Sequence, residues 1–253
     1  MTRRTSPTPV SFAVAVLILL ILYVAHRMQI PGHTPAFPSA RAPMREEWRT
    51  YPGSRREQRY ESRHPQKQAP QQPYCQSLGV VCGSEYFQPW QEPAEGACST
   101  SLHNGYPVPD PHCTPGGIDP SVTTDVLSNP DWRTRCIRDC ETSESEKHVT
   151  YRWYGIRAPR RNSGNNQVCE LDHLVPLELG GADGLGNIWP ECGPDATALQ
   201  NRYFKVKDRV ENYLADEVKA GHMPLQDAQR GIASDWTRYL AAANQYCAAR
   251  GRC

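Results

Sequence analysis

The spacing of apolar and polar side chains divides the chain into an apolar block, a polar tract and a patterned C-terminal half. The block, VSFAVAVLILLILYVA, runs from Val10 to Ala25 without a charge. Residues 26 to 72 hold few aliphatics and many Pro, Arg, Gln and Ser, too little apolar surface to offset the entropy of ordering. From residue 113 the pattern becomes that of a folded domain. SVTTDVLSNPDW predicts a short helix stopped at Asn129-Pro130. HVTYRWYG, 148 to 155, fits either a strand or a short helix. QVCELDHLVPLEL predicts a strand ending near His173, with Pro176 stopping regular pairing. GGADGLG predicts a turn and NIW a short second strand, which WPECGP breaks. Leu199, Tyr203, Val206, Val210, Leu214 and Val218 recur at helical spacing. They predict the longest helix, about Asp195 to Ala220, with Asp195 as N-cap and Gly221 as the stop. Asn201, Lys205, Asp208 and Asn212 fall on another face of it. Ile232, Trp236, Leu240 and Ala243 predict a last helix, about Leu225 to Ala249, packed on the one before.

Composition changes this picture in two ways. The chain is only 38% hydrophobic and carries 23 prolines among 253 residues, so a good part of it lies outside a packed core. Its ten cysteines all lie beyond the apolar block, and none forms a CxxC pair, which argues against a zinc ribbon. An even, dispersed set predicts disulfides, about five, in an oxidising compartment. A bridge from Cys169 to Cys192 would bracket the DH stretch. The block itself, behind Arg3 and Arg4, is intermediate between a signal-peptide core and a bilayer span. It is read as an uncleaved signal anchor over 9–25 that leaves residues 1–8 in the cytoplasm and the rest outside. A cleaved signal is the alternative. Residues 26–72 then form a disordered tether and 73–111 a cysteine-containing extension. The domain proper spans 112–253.

Net charge is +1, unevenly distributed. Residues 26–72 hold nine Lys/Arg against four Asp/Glu, about +5, and residues 112–253 hold seventeen against nineteen, about −2. A domain of that sign is no ordinary basic nucleic-acid surface, so polyanion binding there needs local Arg clusters or a metal. The candidate cluster is Arg157, Arg160 and Arg161, just before the predicted DH strand and able to clamp phosphate bidentately. A solvated loop is the other reading of these residues.

The chemistry concentrates in CELDHLVPLELGGADGLGNIWPE, residues 169 to 191. An imidazole can take a proton from water at working pH. An adjacent carboxylate can hold a hard divalent cation, which stabilises charge on a scissile phosphate. Successive side chains of a strand point to opposite faces, so Asp172 and His173 can flank one substrate only where the strand ends or bends.

ELDHLVPLELGG followed by NIWPE resembles the HNH nucleases, the ββα-metal or His-Me finger group, and most of all its small exported bacterial members. The likeness extends upstream to TPGGIDPSVT and downstream to KDRVENYL and AQRGIASDW, about residues 112 to 240. It implies an α+β fold with a ββα-metal core and flanking helices. It implies a metal-dependent endonuclease acting on DNA, or on RNA, which the N-terminal block, read as an anchor, would tether to the membrane. By the same resemblance His173 is the general base and Asp172 the first metal ligand. Glu170 is an orienting acid, and Asn187 holds the loop around the base. The group's third position, on the helix, is usually His or Asn, and this chain has no histidine between Asn187 and His222. Asn201 and Asp208 are the two candidates. Either makes an all-oxygen site that suits one Mg²⁺ or Mn²⁺ better than Zn²⁺. Two other functions stay open: a non-catalytic extracytoplasmic binding module on the same scaffold, and a phosphoesterase acting on something other than nucleic acid.

Overall fold

A computed structural model describes residues 73–195, 197–251 and 253. The expected cytoplasmic segment, signal anchor and tether, residues 1–72, lie outside the described residues. No helix among the described residues is long and apolar enough to cross a membrane.

The architecture is α+β. In chain order come α1 (Pro73–Ser77), β1 (Glu85–Tyr86), β2 (Ser101–His103), β3 (Tyr106–Val108) and β4 (Gly117–Ile118). Then follow α2 (Thr124–Ser128), α3 (Glu144–Lys147), α4 (Val149–Trp153), β5 (Cys169–His173) and β6 (Ile188–Cys192). Three longer helices close the chain: α5 (Tyr203–Lys219), α6 (Leu225–Asp235) and α7 (Leu240–Arg250). The strands pair antiparallel as β1 with β4, β2 with β3 and β5 with β6. Asn104 and Gly105 turn the β2–β3 hairpin with φ of 51° and 84°, as a two-residue Asn-Gly loop requires.

α5 carries the core. Val206, Val210, Leu214 and Val218, four residues apart, are all buried. They pack among Val122, Leu127, Leu177, Leu179, Ile232 and Trp236. Five disulfides join Cys75 to Cys136, Cys82 to Cys140, Cys98 to Cys113, Cys169 to Cys192 and Cys247 to Cys253. The first two strap the 73–111 extension onto the 136–140 segment. The fourth closes the open end of the β5–β6 hairpin.

Three boundaries differ from expectation, and one reading left open is resolved. Residues 149–153 settle as helix, led by a capping box in which Ser143 and Glu146 satisfy each other's backbone N–H groups. β6 runs through Pro190 to Cys192 rather than breaking at Trp189. Only one side of β6 is paired, which leaves room for a residue with no N–H to give. The long helix starts at Tyr203, not Asp195. Arg202 is extended, and the Tyr203 N–H is taken by the Gly193 carbonyl at 2.9 Å, so the helix N-terminus is satisfied from the preceding loop. The expected last helix is two. Asp235 turns extended and its carboxylate accepts from the Thr237 N–H and Oγ1, which diverts the chain through a 3-10 turn.

Candidate functional site

Strand register builds one side of the site. Glu170 pairs with Glu191 and Asp172 with Trp189 across the β5–β6 ladder. Side chains two apart on a strand share a face, and cross-strand partners share it too. Glu170, Asp172 and Glu191 therefore project together, and α5 packs against both strands there. From α5, Lys207 and Glu211, one turn apart, meet them.

Lys207 is wholly buried. Its Nζ donates to Asp172 Oδ2 at 2.7 Å, to Glu211 Oε1 at 2.5 Å and to the His173 carbonyl at 2.8 Å. Burial acts to lower its pKa, but Asp172, Glu211 and Glu191 outweigh that and hold it raised, so it is charged. Trp189 Nε1 adds a second donor to Asp172 Oδ2 at 3.2 Å. Glu191 is wholly buried and neither of its oxygens has a hydrogen-bond partner among the described residues. Burial first, then the charge of Asp172, pushes its pKa well up. Glu211 is raised by burial as well, against the pull of Lys207. Burial and the carboxylates of Asp172 and Asp208 push Glu170 up to about 7.

His173 faces the other way, as alternation demands. Its Nε2 lies 2.9 Å from Asp183 Oδ1. Asp183 is 1% exposed, and Lys147 Nζ, equally buried, sits 3.1 Å from the same oxygen. The other carboxylate oxygen accepts from the backbone N–H groups of Cys140 at 2.9 Å and Thr142 at 3.4 Å. Burial works to raise Asp183, but the His173 bond and Lys147 win and hold it below the usual carboxylate range. A carboxylate only accepts, so Nε2 carries a proton here, and in the neutral ring Nδ1 is then the lone-pair nitrogen.

Asn187 spends its whole side chain on backbone. Oδ1 accepts from Val175 at 2.9 Å and Gly117 at 3.2 Å, and Nδ2 donates to Val175 at 2.9 Å and Ala182 at 2.8 Å. It clips the loop that follows His173 to the loop that carries Asp183. Gly180, at φ 69°, and Gly181, where a Cβ would meet the Val175 carbonyl oxygen at 1.8 Å, let that loop close.

The remaining expected residues are less uniformly placed. Asp208 lies close enough to Glu170 and Asp172 to couple with them, and its Oδ2 takes Lys205 Nζ at 2.6 Å. Asn201 is exposed on the 3-10 turn before α5, and its side chain has no hydrogen-bond partner among the described residues. Arg157, Arg160 and Arg161 are exposed. Only Arg160 lines the polar cleft of about 580 Å³ that also holds Arg138, His148, Asn162 and Glu170. A second cleft, about 470 Å³, contains Lys205, Asp208 and Arg209. Glu170 in one and Asp208 in the other open the carboxylate cluster to both.

Sequence reading missed Asp183, Lys147, Lys207, Glu191 and Glu211. Lys207 and Glu211 carried a signal, their i, i+4 spacing in KVKDRVE, and Glu191 alternates with Trp189. Asp183 and Lys147 are 36 residues apart and carried none. No family model, curated relative or solved structure matches the chain.

Proposed function

We propose that this protein is an endonuclease that hydrolyses phosphodiester bonds of DNA, with RNA as the alternative substrate, and that His173 is its general base. The observation that carries the reading is the buried Lys147–Asp183–His173 chain at the end of a strand whose other face is a carboxylate cluster. His173 Nδ1, left as the lone-pair nitrogen, would take the proton of the attacking water. Arg160, with Arg138 and His148, would hold the nucleic-acid backbone in the adjoining cleft.

A divalent cation belongs to this proposal. The donor chemistry suits one. Asp172 Oδ1 and both oxygens of Glu191 have no hydrogen-bond partner among the described residues, and all-oxygen donors fit Mg²⁺ or Mn²⁺ better than Zn²⁺. Asp172 would hold the ion, with Glu191, Glu170 or Asp208 as the second carboxylate. Asn201, remote in its contacts, is the weaker candidate. The ion would supply charge stabilisation at the phosphate. The five disulfides suit an oxidising, extracytoplasmic compartment, reached by export and held there by the N-terminal segment.

One observation favours the binding-module reading: Lys207 already neutralises Asp172. Plasmid nicking by the full, oxidised chain separates the two. The assay uses EDTA, Mg²⁺, Mn²⁺ or Zn²⁺, beside His173→Ala. Nicking lost in His173→Ala supports the nuclease. A variant that cuts like the wild type would sink the mechanism. Nucleic-acid binding without cleavage under every condition would favour the module.

A further inference from the structure

We propose that Asp183 is the positioning residue of His173, a carboxylate that selects the ring tautomer and fixes which nitrogen faces the reaction. The geometry leaves it little other work. Both of its oxygens are saturated by donors that converge on it: His173 Nε2 at 2.9 Å and Lys147 Nζ at 3.1 Å on Oδ1, and the N–H groups of Cys140 and Thr142 on Oδ2. Lys147 is fixed in turn by Asp139 at 2.9 Å and Glu144 at 3.0 Å. The carboxylate cannot rotate without giving up one of these, so the imidazole is held at one angle. On the other side of the ring, Lys207 holds the His173 carbonyl at 2.8 Å. Backbone and ring are thus located by two separate buried lysines. In its neutral form a ring held in this way presents Nδ1 as the acceptor.

The isosteric Asp183→Asn tests this sharply because every hydrogen-bond or ion-pair partner of Asp183 among the described residues is a donor. Whichever way the amide turns, its NH₂ faces donors. With the amide oxygen on the Cys140 and Thr142 N–H groups, the NH₂ donates to Nε2 and moves the ring proton to Nδ1, where it blocks proton uptake. The comparable substitution in the serine-protease triad costs about 10⁴-fold in kcat through the wrong tautomer.

The kinetic arm rests on the nuclease reading, whereas the spectroscopic arm does not. Full-length chain labelled with ¹⁵N-histidine is compared at pH 9 with Asp183→Asn, and the His173 ring is identified by its loss in His173→Gln. The expected wild-type ring is protonated at Nε2, and Asp183→Asn moves proton density to Nδ1. In nicking assays Asp183→Asn lowers kcat by about 10²-fold or more with KM within about threefold. The loss of kcat goes together with the shift of the ring proton, because Asp183 acts only through that ring. An Nδ1-protonated wild-type ring overturns the proposal whether or not Asp183→Asn folds. So does a loss of kcat in Asp183→Asn with the His173 ring proton still on Nε2, which would mark a merely structural role. A tautomer shift in a wild-type protein that nicks nothing upholds the positioning and removes the nuclease reading instead.

Discussion

Lys207→Met removes a buried ammonium and keeps most of its volume. Three interactions go at once, with Asp172, Glu211 and the His173 carbonyl. What remains is a cluster in which Asp172, Glu191 and Glu211 face one another with no buried cation among them. Breaking a buried ion pair from one side costs about 3–5 kcal/mol, because the stranded charge has neither water nor partner. For a folded unit of this size, about 2–4 °C of melting temperature goes with each kcal/mol, so the variant should melt roughly 10 °C lower. The loss should depend on pH with a definite sign. Burial and neighbouring carboxylates already hold Glu191 and Glu211 above the usual range. Groups with a raised folded pKa favour folding at low pH and oppose it as pH rises through the folded value. Losing Lys207 raises them further, so the deficit is larger at pH 8 than at pH 5. Adding Glu211→Gln to Lys207→Met should return part of the loss. The assay is denaturant unfolding of the oxidised chain at both pH values, with and without Mg²⁺. An ion that takes the place of the ammonium should stabilise the variant more than the wild type, by about 2.7 kcal/mol at a hundred times its Kd. A variant within about 1 kcal/mol of wild type at pH 8 would refute Lys207 as the counter-ion of the cluster.

Three further outcomes are expected. Gly181→Ala sets a Cβ against the Val175 carbonyl oxygen and should cost more than about 3 kcal/mol in urea melts; an unchanged midpoint would refute the close approach. Replacing Cys82 and Cys140 with Ser frees the loop whose Cys140 N–H holds Asp183, and should lower kcat about tenfold or more while the fold persists by circular dichroism. The same change at Cys247 and Cys253 should leave kcat unaltered, and equal losses from both pairs would count against the Asp183 link. Arg160→Ala should weaken oligonucleotide binding uniformly across sequences and reduce the salt slope by about 1, whereas Arg157→Ala, outside the cleft, should do neither.

Local patterning carried the hairpin, from two short strand-like stretches on either side of GGADGLG, and the buried face of α5, because Val206, Val210, Leu214 and Val218 recur every four residues. It failed at the start of α5. A helix N-terminus is set by what satisfies its first N–H groups, and here that is the Gly193 carbonyl, ten residues back, rather than a capping side chain. It also failed where Pro190 stays in a strand, since only pairing on one side makes that tolerable.

The site was legible to the same degree and for the same reason. Asp172 and His173 stand out because they are adjacent, yet adjacency on a strand separates them. Asp172 turns to α5 and Lys207, His173 to Asp183 and Lys147. Each half of the pair is therefore controlled by a lysine and an acid brought in from elsewhere in the chain. Lys207 neutralises the carboxylate face, and Lys147 anchors the acid that holds the imidazole. The two halves meet at the His173 carbonyl, which Lys207 grips while the ring of the same residue is held from the opposite side. A change in the charge of the carboxylate face, from a bound cation or a lost lysine, thus has a direct mechanical route to the base. Lys207→Met should consequently disturb the His173 ring signal even though it touches no atom of that ring, whereas a change at half-buried Lys205, which is ion-paired with Asp208 and grips neither Asp172 nor the His173 carbonyl, should disturb it less.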